Sequence, residues 1–263
     1  PGWGEVFSDQ VNTGIYVLEP KVLTEIPAKT KYDFSKDLFP VLLQKGIPVY
    51  GCLLKGYWRD IGTITQYIQA NWDFLDGKIG LPIQGIYQGD GIWMGQGVGL
   101  SPGVKIKGPA FIGDNVKVGK NALIDAYSIL GNNSTVGERS TLKRALLWSN
   151  VYLEKQVDIR GSVLCSKAII KSYSQTYEGA VIGNNTVIEE KSIIKPEVKI
   201  WPSKQIQQGT TLHENMVWGT KASKNLFGTQ GVYGIPNRDI TPELAARLGA
   251  AYGTFLKNHT KTV

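Results

Sequence analysis

The chain has 263 residues, which at roughly 150 per domain predicts one large domain or two smaller ones. It is 42% hydrophobic and 19% charged, which excludes compositional disorder, and no apolar run nears the ~18 residues of a membrane span. The net charge of +7 comes from scattered Lys and Arg with no basic run interleaved with aromatics, which argues against nucleic acid as a partner. Gly is the outlier at 31 residues and points to many turns rather than long helices. No basic segment precedes an apolar one as in a secretory signal, and a first residue of Pro1 rather than Met suggests a fragment. Cys52 and Cys165 have no CxxC and no metal-ligand spacing; two lone thiols suit a reducing cytoplasm and read as buried small hydrophobes.

Residues 1–78 mix strand and helix signals. Val11 to Leu18 alternates enough to predict a strand, in which Gly14 would let a ligand approach the backbone. Asp33 to Lys45 has helical spacing at Leu38, Leu42 and Leu43 and ends before Gly46, and Pro40 predicts two short pieces. Val49 to Leu54 is a short apolar run, followed by GYWRDIGT at Gly56 to Thr63. Thr63 is the expected N-cap of a helix from Ile64 to Leu75, with Ile64, Tyr67, Ile68, Trp72 and Leu75 on one face.

Residues 79–218 carry the strongest pattern. An apolar residue recurs every sixth position from Met94 through Leu100, Ile106, Ile112, Val118, Ile124, Leu130 and Val136 to Leu142. After a one-residue deletion the beat resumes at Leu147, Leu153 and Ile159, and after a second it runs from Leu164 to Ile200 with only Thr176 polar. A period of six is the hexapeptide repeat of a parallel β-helix: a three-sided coil with each beat pointing inward. Small residues such as Ala122, Ser134 and Ser140 fit the corners, and Asn115, Asn121, Asn132, Asn133, Asn184 and Asn185 suit the turns. Three hexads per coil give about six coils, or a prism ~30 Å long. The pattern resembles the left-handed hexapeptide β-helix family, and the handedness comes from that resemblance.

Such prisms occur in acyltransferases and as appendages of sugar-nucleotide enzymes, so the fold alone does not name a function. Acyltransferases of this architecture use a prism-borne His as general base. The two His residues here, His213 and His259, lie outside the coils, which disfavours that chemistry; His213 is the remaining candidate base. Residues 219–263 read as a Gly-rich linker and then a helix capped by Thr241, with Pro242 first and Leu244, Leu248, Ala251 and Phe255 on its apolar side. A segment this short reads as the start of a further α/β domain.

PGWGEVFSDQVNTGIYVLEPKVL, DFSKDLFPVLLQKG and GYWRDIGTITQYIQAN together resemble the later part of the nucleotidyltransferase domain of bacterial sugar-nucleotide pyrophosphorylases, a Rossmann-like α/β domain. With the prism, the arrangement resembles mannose-1-phosphate guanylyltransferase. The tail, LFGTQGVYGIPNRDITPELAARLGAAYGTFL, resembles the first segment of the phosphohexomutase family, and Tyr233 stands where the family's GVRG puts an Arg. The resemblance implies joining of a hexose 1-phosphate to a nucleoside triphosphate, GTP with mannose 1-phosphate foremost, with release of pyrophosphate and with Mg²⁺ offsetting phosphate charge. It implies that Asp60 is one of two carboxylates on the Mg²⁺, the other upstream of Pro1, and that Asn12, Thr13 and Gly14 contact the sugar. The family's glycine-rich nucleotide loop and its Glu-Lys pair would also precede Pro1, so the fragment alone is expected to be inactive. The prism is expected to serve homo-oligomeric assembly or regulation. Two plainer readings stay open: Asp60 forming an Asx turn before Gly62, and Asn12 capping an ordinary strand glycine. So does a non-catalytic assembly or regulatory relative of the same three-part organisation.

Overall fold

The computed structural model describes residues 10–217, 221–222, 231–232, 236 and 240–259. The chain divides after Lys55 into two compact units, each described by itself.

In the first unit Asp33 opens the helical stretch: its carboxylate accepts the backbone N–H of Ser35 and of Lys36. A π-helical turn, Phe34–Leu38, passes into α1, Phe39–Gln44, with Pro40 in its first turn. Pro40 lacks an N–H, so its tolerance there agrees with the two-piece expectation. Leu38 and Leu42 are buried with Val22 in a small core, and Tyr16 stacks on Phe34 and meets Phe39 edge-on. Val11 to Leu18 is not a strand. A strand is held by a neighbour's backbone, and no described segment pairs with this one; Val17 is fully exposed as a result.

The second unit is built on the hexapeptide prism, a left-handed parallel β-helix. Its three sheets contain eight, seven and eight strands among the described residues, stacked in parallel apart from Ile86–Gly89, which pairs antiparallel with Ile92–Met94. Every predicted beat lies in a short strand and closes it, except Leu142 and Ile159, which are each followed by one more strand residue; the beats continue through Ile206 and Leu212, so the stack is a coil taller than expected. Ile112, Ile124, Leu142, Ile159, Ile182 and Ile194 form part of one continuous core. Thr176, the polar beat, is fully buried because its hydroxyl donates to the Ser162 Oγ at 2.9 Å. Buried serines staple successive coils. The Ser140 hydroxyl donates to the Glu154 carbonyl at 2.9 Å and accepts the Val157 N–H at 3.1 Å.

Both one-residue deletions fall at the same corner, at Arg144 (φ +50) and Gly161 (φ +53), so the short corners stack on one another. Asn115, Asn121, Asn133 and Asn185 take the left-handed conformation expected of corner residues. Asn132 and Asn184 do not; the Asn132 side chain instead accepts the Asp114 N–H at 3.0 Å. Cys52 is exposed and Cys165 half-buried, so neither is the fully buried thiol expected. Desolvation pushes the Cys165 thiol pKa up.

Close stacking makes some corner glycines obligatory. A Cβ on Gly131 would lie 2.6 Å from the Trp148 carbonyl carbon in the next coil. Gly131→Ala is therefore expected to lower the melting temperature, by overpacking worth about 1–3 kcal/mol. Circular dichroism melts of the two proteins check this.

Outward positions distinguish the faces. On the first face they read Phe111, Ile129, Leu146, Val163 and Val181, an apolar ladder, and α2, Ile64–Leu75, lies on it. Ile68 is buried against Leu146 and Val163. Thr63 caps α2 as expected, its hydroxyl accepting the Gln66 N–H at 3.2 Å. Near the other end of the chain α3, Pro242–His259, is capped by Thr241, with Leu244 and Leu248 half-buried and Phe255 54% exposed. No helix among the described residues is long and apolar enough to cross a membrane.

Candidate functional site

The GYWRDIGT loop is ordered by α2. Asp73 on that helix is 2% exposed and saturated with donors. Its Oδ2 accepts the Tyr57 hydroxyl and the Arg59 Nη2, each at 2.9 Å, and its Oδ1 accepts Gln69 Nε2 at 3.1 Å and Lys78 Nζ at 3.0 Å. Arg59 Nε also donates to the Tyr57 hydroxyl at 2.9 Å, so its Nε and Nη2 are both engaged inside the protein. Sequence reasoning missed Asp73. The signal was a carboxylate four residues after Gln69, between the apolar helix positions Trp72 and Leu75.

Lys78 first, then Gln69, hold the Asp73 carboxyl well below the usual carboxylate range, against the opposing effect of burial. Lys78 is raised by Asp76 first and then by Asp73. A depressed folded-state pKa stabilises the fold above the unfolded value of ~3.9, and that contribution is lost as pH falls through the folded value. The docking of α2 is therefore expected to be insensitive to pH between about 8 and 5 and to loosen below about 4. Tryptophan fluorescence from Trp72 and Trp148 reads this, and Asp73→Asn should flatten the acid limb.

Asp60 follows Arg59 directly and is exposed. Its carboxylate oxygens lie 3.4 and 3.5 Å from where a Gly62 Cβ would stand. Among the described residues that carboxylate makes no hydrogen bond, so the Asx-turn bond to the Gly62 N–H is not formed. Beyond it, Ile61, Thr63 and Tyr67 line one wall of a cleft of about 540 Å³ whose other wall includes Trp148, Val163 and Cys165 of the prism. The Trp148 Nε1 donates to the Tyr67 hydroxyl at 2.9 Å, closing one end of the contact. Among the described residues no group of three His, Cys, Asp or Glu could hold a metal ion. Asp60 offers one hard oxygen donor, suited to Mg²⁺ in kind, and by itself is not a metal site.

Asn12, Thr13 and Gly14 stand in the first unit. The Asn12 amide nitrogen donates to the Tyr16 hydroxyl at 2.8 Å and to the Ser35 Oγ at 3.1 Å, and its oxygen accepts the Gly14 N–H at 2.9 Å. Asn12 thus caps Gly14, although Gly14 does not stand in a strand. Gly14 has φ +72 and open space around its Cβ position. His213 is exposed, one residue past the beat at Leu212. Tyr233 lies outside the described residues, as does the His259 side chain.

Residues 4–77 match the nucleotidyl transferase family model, and residues 89–194 match that of the EIF2B subunit epsilon LbH domain. This chain carries a nucleotidyl transferase segment followed by a hexapeptide-repeat β-helix domain. The nucleotidyl transferase match ends just past α2, so Asp60 and Asp73 both lie within it. The chain is 38% identical over 96 residues to a UTP–glucose-1-phosphate uridylyltransferase of Synechocystis, covering 34% of this chain and 25% of that protein. It is 37% identical over 82 residues to a glucose-1-phosphate adenylyltransferase of Clostridium novyi, 29% of this chain and 22% of that protein. It is 32% identical over 84 residues to a mannose-1-phosphate guanylyltransferase of Mycobacterium tuberculosis, 32% of this chain and 23% of that protein. The chain thus spans about a quarter of the length of these relatives. Among solved structures it is similar to a UDP-N-acetylglucosamine acyltransferase from Bacteroides fragilis 9343, with TM-score 0.45 and 14% identity over 69% of this chain and 86% of that one.

Proposed function

We propose that this chain is part of a nucleotidyltransferase that joins a hexose 1-phosphate to a nucleoside triphosphate and releases pyrophosphate, with mannose 1-phosphate and GTP as the preferred pair. The observation that carries the reading is the loop at Gly56 to Thr63, inside the nucleotidyl transferase match, with Arg59 gripped by a buried carboxylate and Asp60 left exposed. The named relatives use three different pairs of sugar phosphate and nucleotide. The choice of GDP-mannose rests on the three-part order, in which residues 219–263 begin a phosphohexomutase-like domain after the nucleotidyltransferase segment (1–78) and the β-helix (79–218).

In this reading Asn12, Thr13 and Gly14 face the sugar. The exposed Asn12 amide exchanges its internal partners for ring hydroxyls, and the open space at Gly14 admits the ring. Asp60 would hold Mg²⁺ through a carboxylate oxygen, together with the phosphates and a second carboxylate. When bound, the cation offsets the phosphate charge. The protein's own contribution is to hold Asp60 still and to orient the sugar phosphate towards the α-phosphorus. The β-helix serves assembly of like copies, and free thiols at Cys52 and Cys165 agree with a reducing cytoplasm.

A second reading, a non-catalytic assembly or regulatory relative, is favoured by the β-helix match, whose model is named for a subunit of a larger assembly. A panel of hexose 1-phosphates and nucleoside triphosphates, scored for pyrophosphate release by the full-length protein, separates the two. The proposal expects turnover with one dominant pair, and background from residues 1–263 alone. Background from the full-length protein with every pair would favour the non-catalytic reading.

A further inference from the structure

We propose that Asp73 is a positioning residue for the loop that carries Asp60, tying that loop to the β-helix through a continuous chain of polar side chains. The inference rests on the nucleotidyltransferase reading and extends it, because it makes the prism part of what aligns the reacting groups.

The chain of contacts starts one residue from Asp60. Arg59 and Tyr57 bind Asp73 Oδ2, and Lys78 binds Asp73 Oδ1. Lys78 Nζ also donates to Asp76 Oδ2 at 2.9 Å, and Asp76 Oδ1 accepts the Tyr127 hydroxyl at 3.1 Å. Tyr127 is a corner residue of the prism with φ +60, and its ring packs on Trp72 with centroids 5.7 Å apart. Every member lies in the second compact unit, so the whole path belongs to one body.

Three features favour positioning over packing. Asp is an indifferent helix former, and an apolar side chain could fill its place in α2, so the carboxylate is not there for the helix. Its four acceptor positions are all used, which fixes its own rotamer and the planar fork of Arg59 together. Asp60 comes next in the chain and contributes nothing to this network, so its placement is inherited from Arg59. Displacement of a reacting group by about 1 Å can cost on the order of 10²-fold in rate, so a loop that carries a ligand for phosphates or metal gains from such a grip.

The test uses the full-length protein as wild type, Asp73→Asn, Arg59→Lys and, as a control at an exposed ion pair, Lys107→Gln. Two quantities are measured: amide hydrogen exchange at residues 57–62, and steady-state kinetics of pyrophosphate release. Asp73→Asn is expected to speed exchange at 57–62 about tenfold, with the coils around Ile124 and Ile182 unchanged. It should lower kcat by about tenfold or more while KM for the sugar phosphate moves less than about threefold. Arg59→Lys should show the same pattern more weakly, and Lys107→Gln none of it. Unchanged exchange at 57–62 in folded Asp73→Asn would overturn the grip, and faster exchange with unchanged kcat would overturn the positioning role. Should Asp73→Asn not fold, Arg59→Lys decides by the same two criteria, since it leaves Lys78, Gln69 and Tyr57 on the buried carboxylate. A wild-type protein without pyrophosphate release would defeat the nucleotidyltransferase reading, and the exchange measurement would still decide the grip.

Discussion

Ile124→Asp is expected to abolish cooperative unfolding of the β-helix at its wild-type temperature and to leave a partly unfolded prism. Ile124 is fully buried between the beats of neighbouring coils and pairs in register with Ile106 and Leu142. The substitution removes an aliphatic side chain, worth about 2–5 kcal/mol at such a site, and inserts a charge with no partner within the core. The two terms together rival the ~5–15 kcal/mol that holds a typical domain. In a stack where each coil contacts only its neighbours, the damage should spread outward from that coil. Ile182→Asp should behave alike, whereas Asn121→Asp should be mild, because Asp also tolerates the φ of +57 found there. Far-ultraviolet circular dichroism melts compare the three. Equal tolerance would mean that the inward register is wrong.

Asp60→Asn in the full-length protein is expected to cut kcat by roughly 10²-fold or more, because it keeps the shape and removes one negative charge from the reacting site. Raising Mg²⁺ should restore part of the rate, since weakened occupancy is a mass-action defect. The turn-forming reading expects otherwise, because Asn supports an Asx turn about as well as Asp. Steady-state kinetics across Mg²⁺ concentrations decide the matter, and a wild-type kcat in the Asn variant would remove Asp60 from the site.

The prism was readable in the sequence because the six-residue beat is local: past the first coil, where Leu100 is 44% exposed and Met94 and Ile106 are half-buried for want of a coil on one side, the beats through Ile206 are buried between those of adjacent coils. The cap at Thr63 and the extent of α2 were readable for the same local reason. The seat of α2 was also encoded, as apolar residues at Phe111, Ile129, Leu146, Val163 and Val181, one position before every third beat. Attention to inward positions alone hides that ladder, since the outward residue of a single strand says nothing until strands are grouped by face. Val11 to Leu18 misled because alternation describes a strand only when a partner strand pairs with it. Asp73 was invisible for a different reason: a carboxylate on an amphipathic helix reads as solvated until tertiary contacts bring Tyr57, Arg59 and Lys78 to it. Tyr127, Arg139 and Lys167 take left-handed corner conformations that their residue types do not announce, because the stacking of coils imposes them.

Isotope exchange reads transfer of a nucleotidyl group directly and without reference to stability. Full-length protein is incubated with labelled pyrophosphate, Mg²⁺, and each candidate nucleotide sugar in turn. Attack at the α-phosphorus is reversible, so label is expected to enter the terminal phosphates of one nucleoside triphosphate, GTP when GDP-mannose is supplied, and only when the matching nucleotide sugar is present. A folded full-length protein that moves no label from pyrophosphate into any nucleoside triphosphate would not be a nucleotidyltransferase.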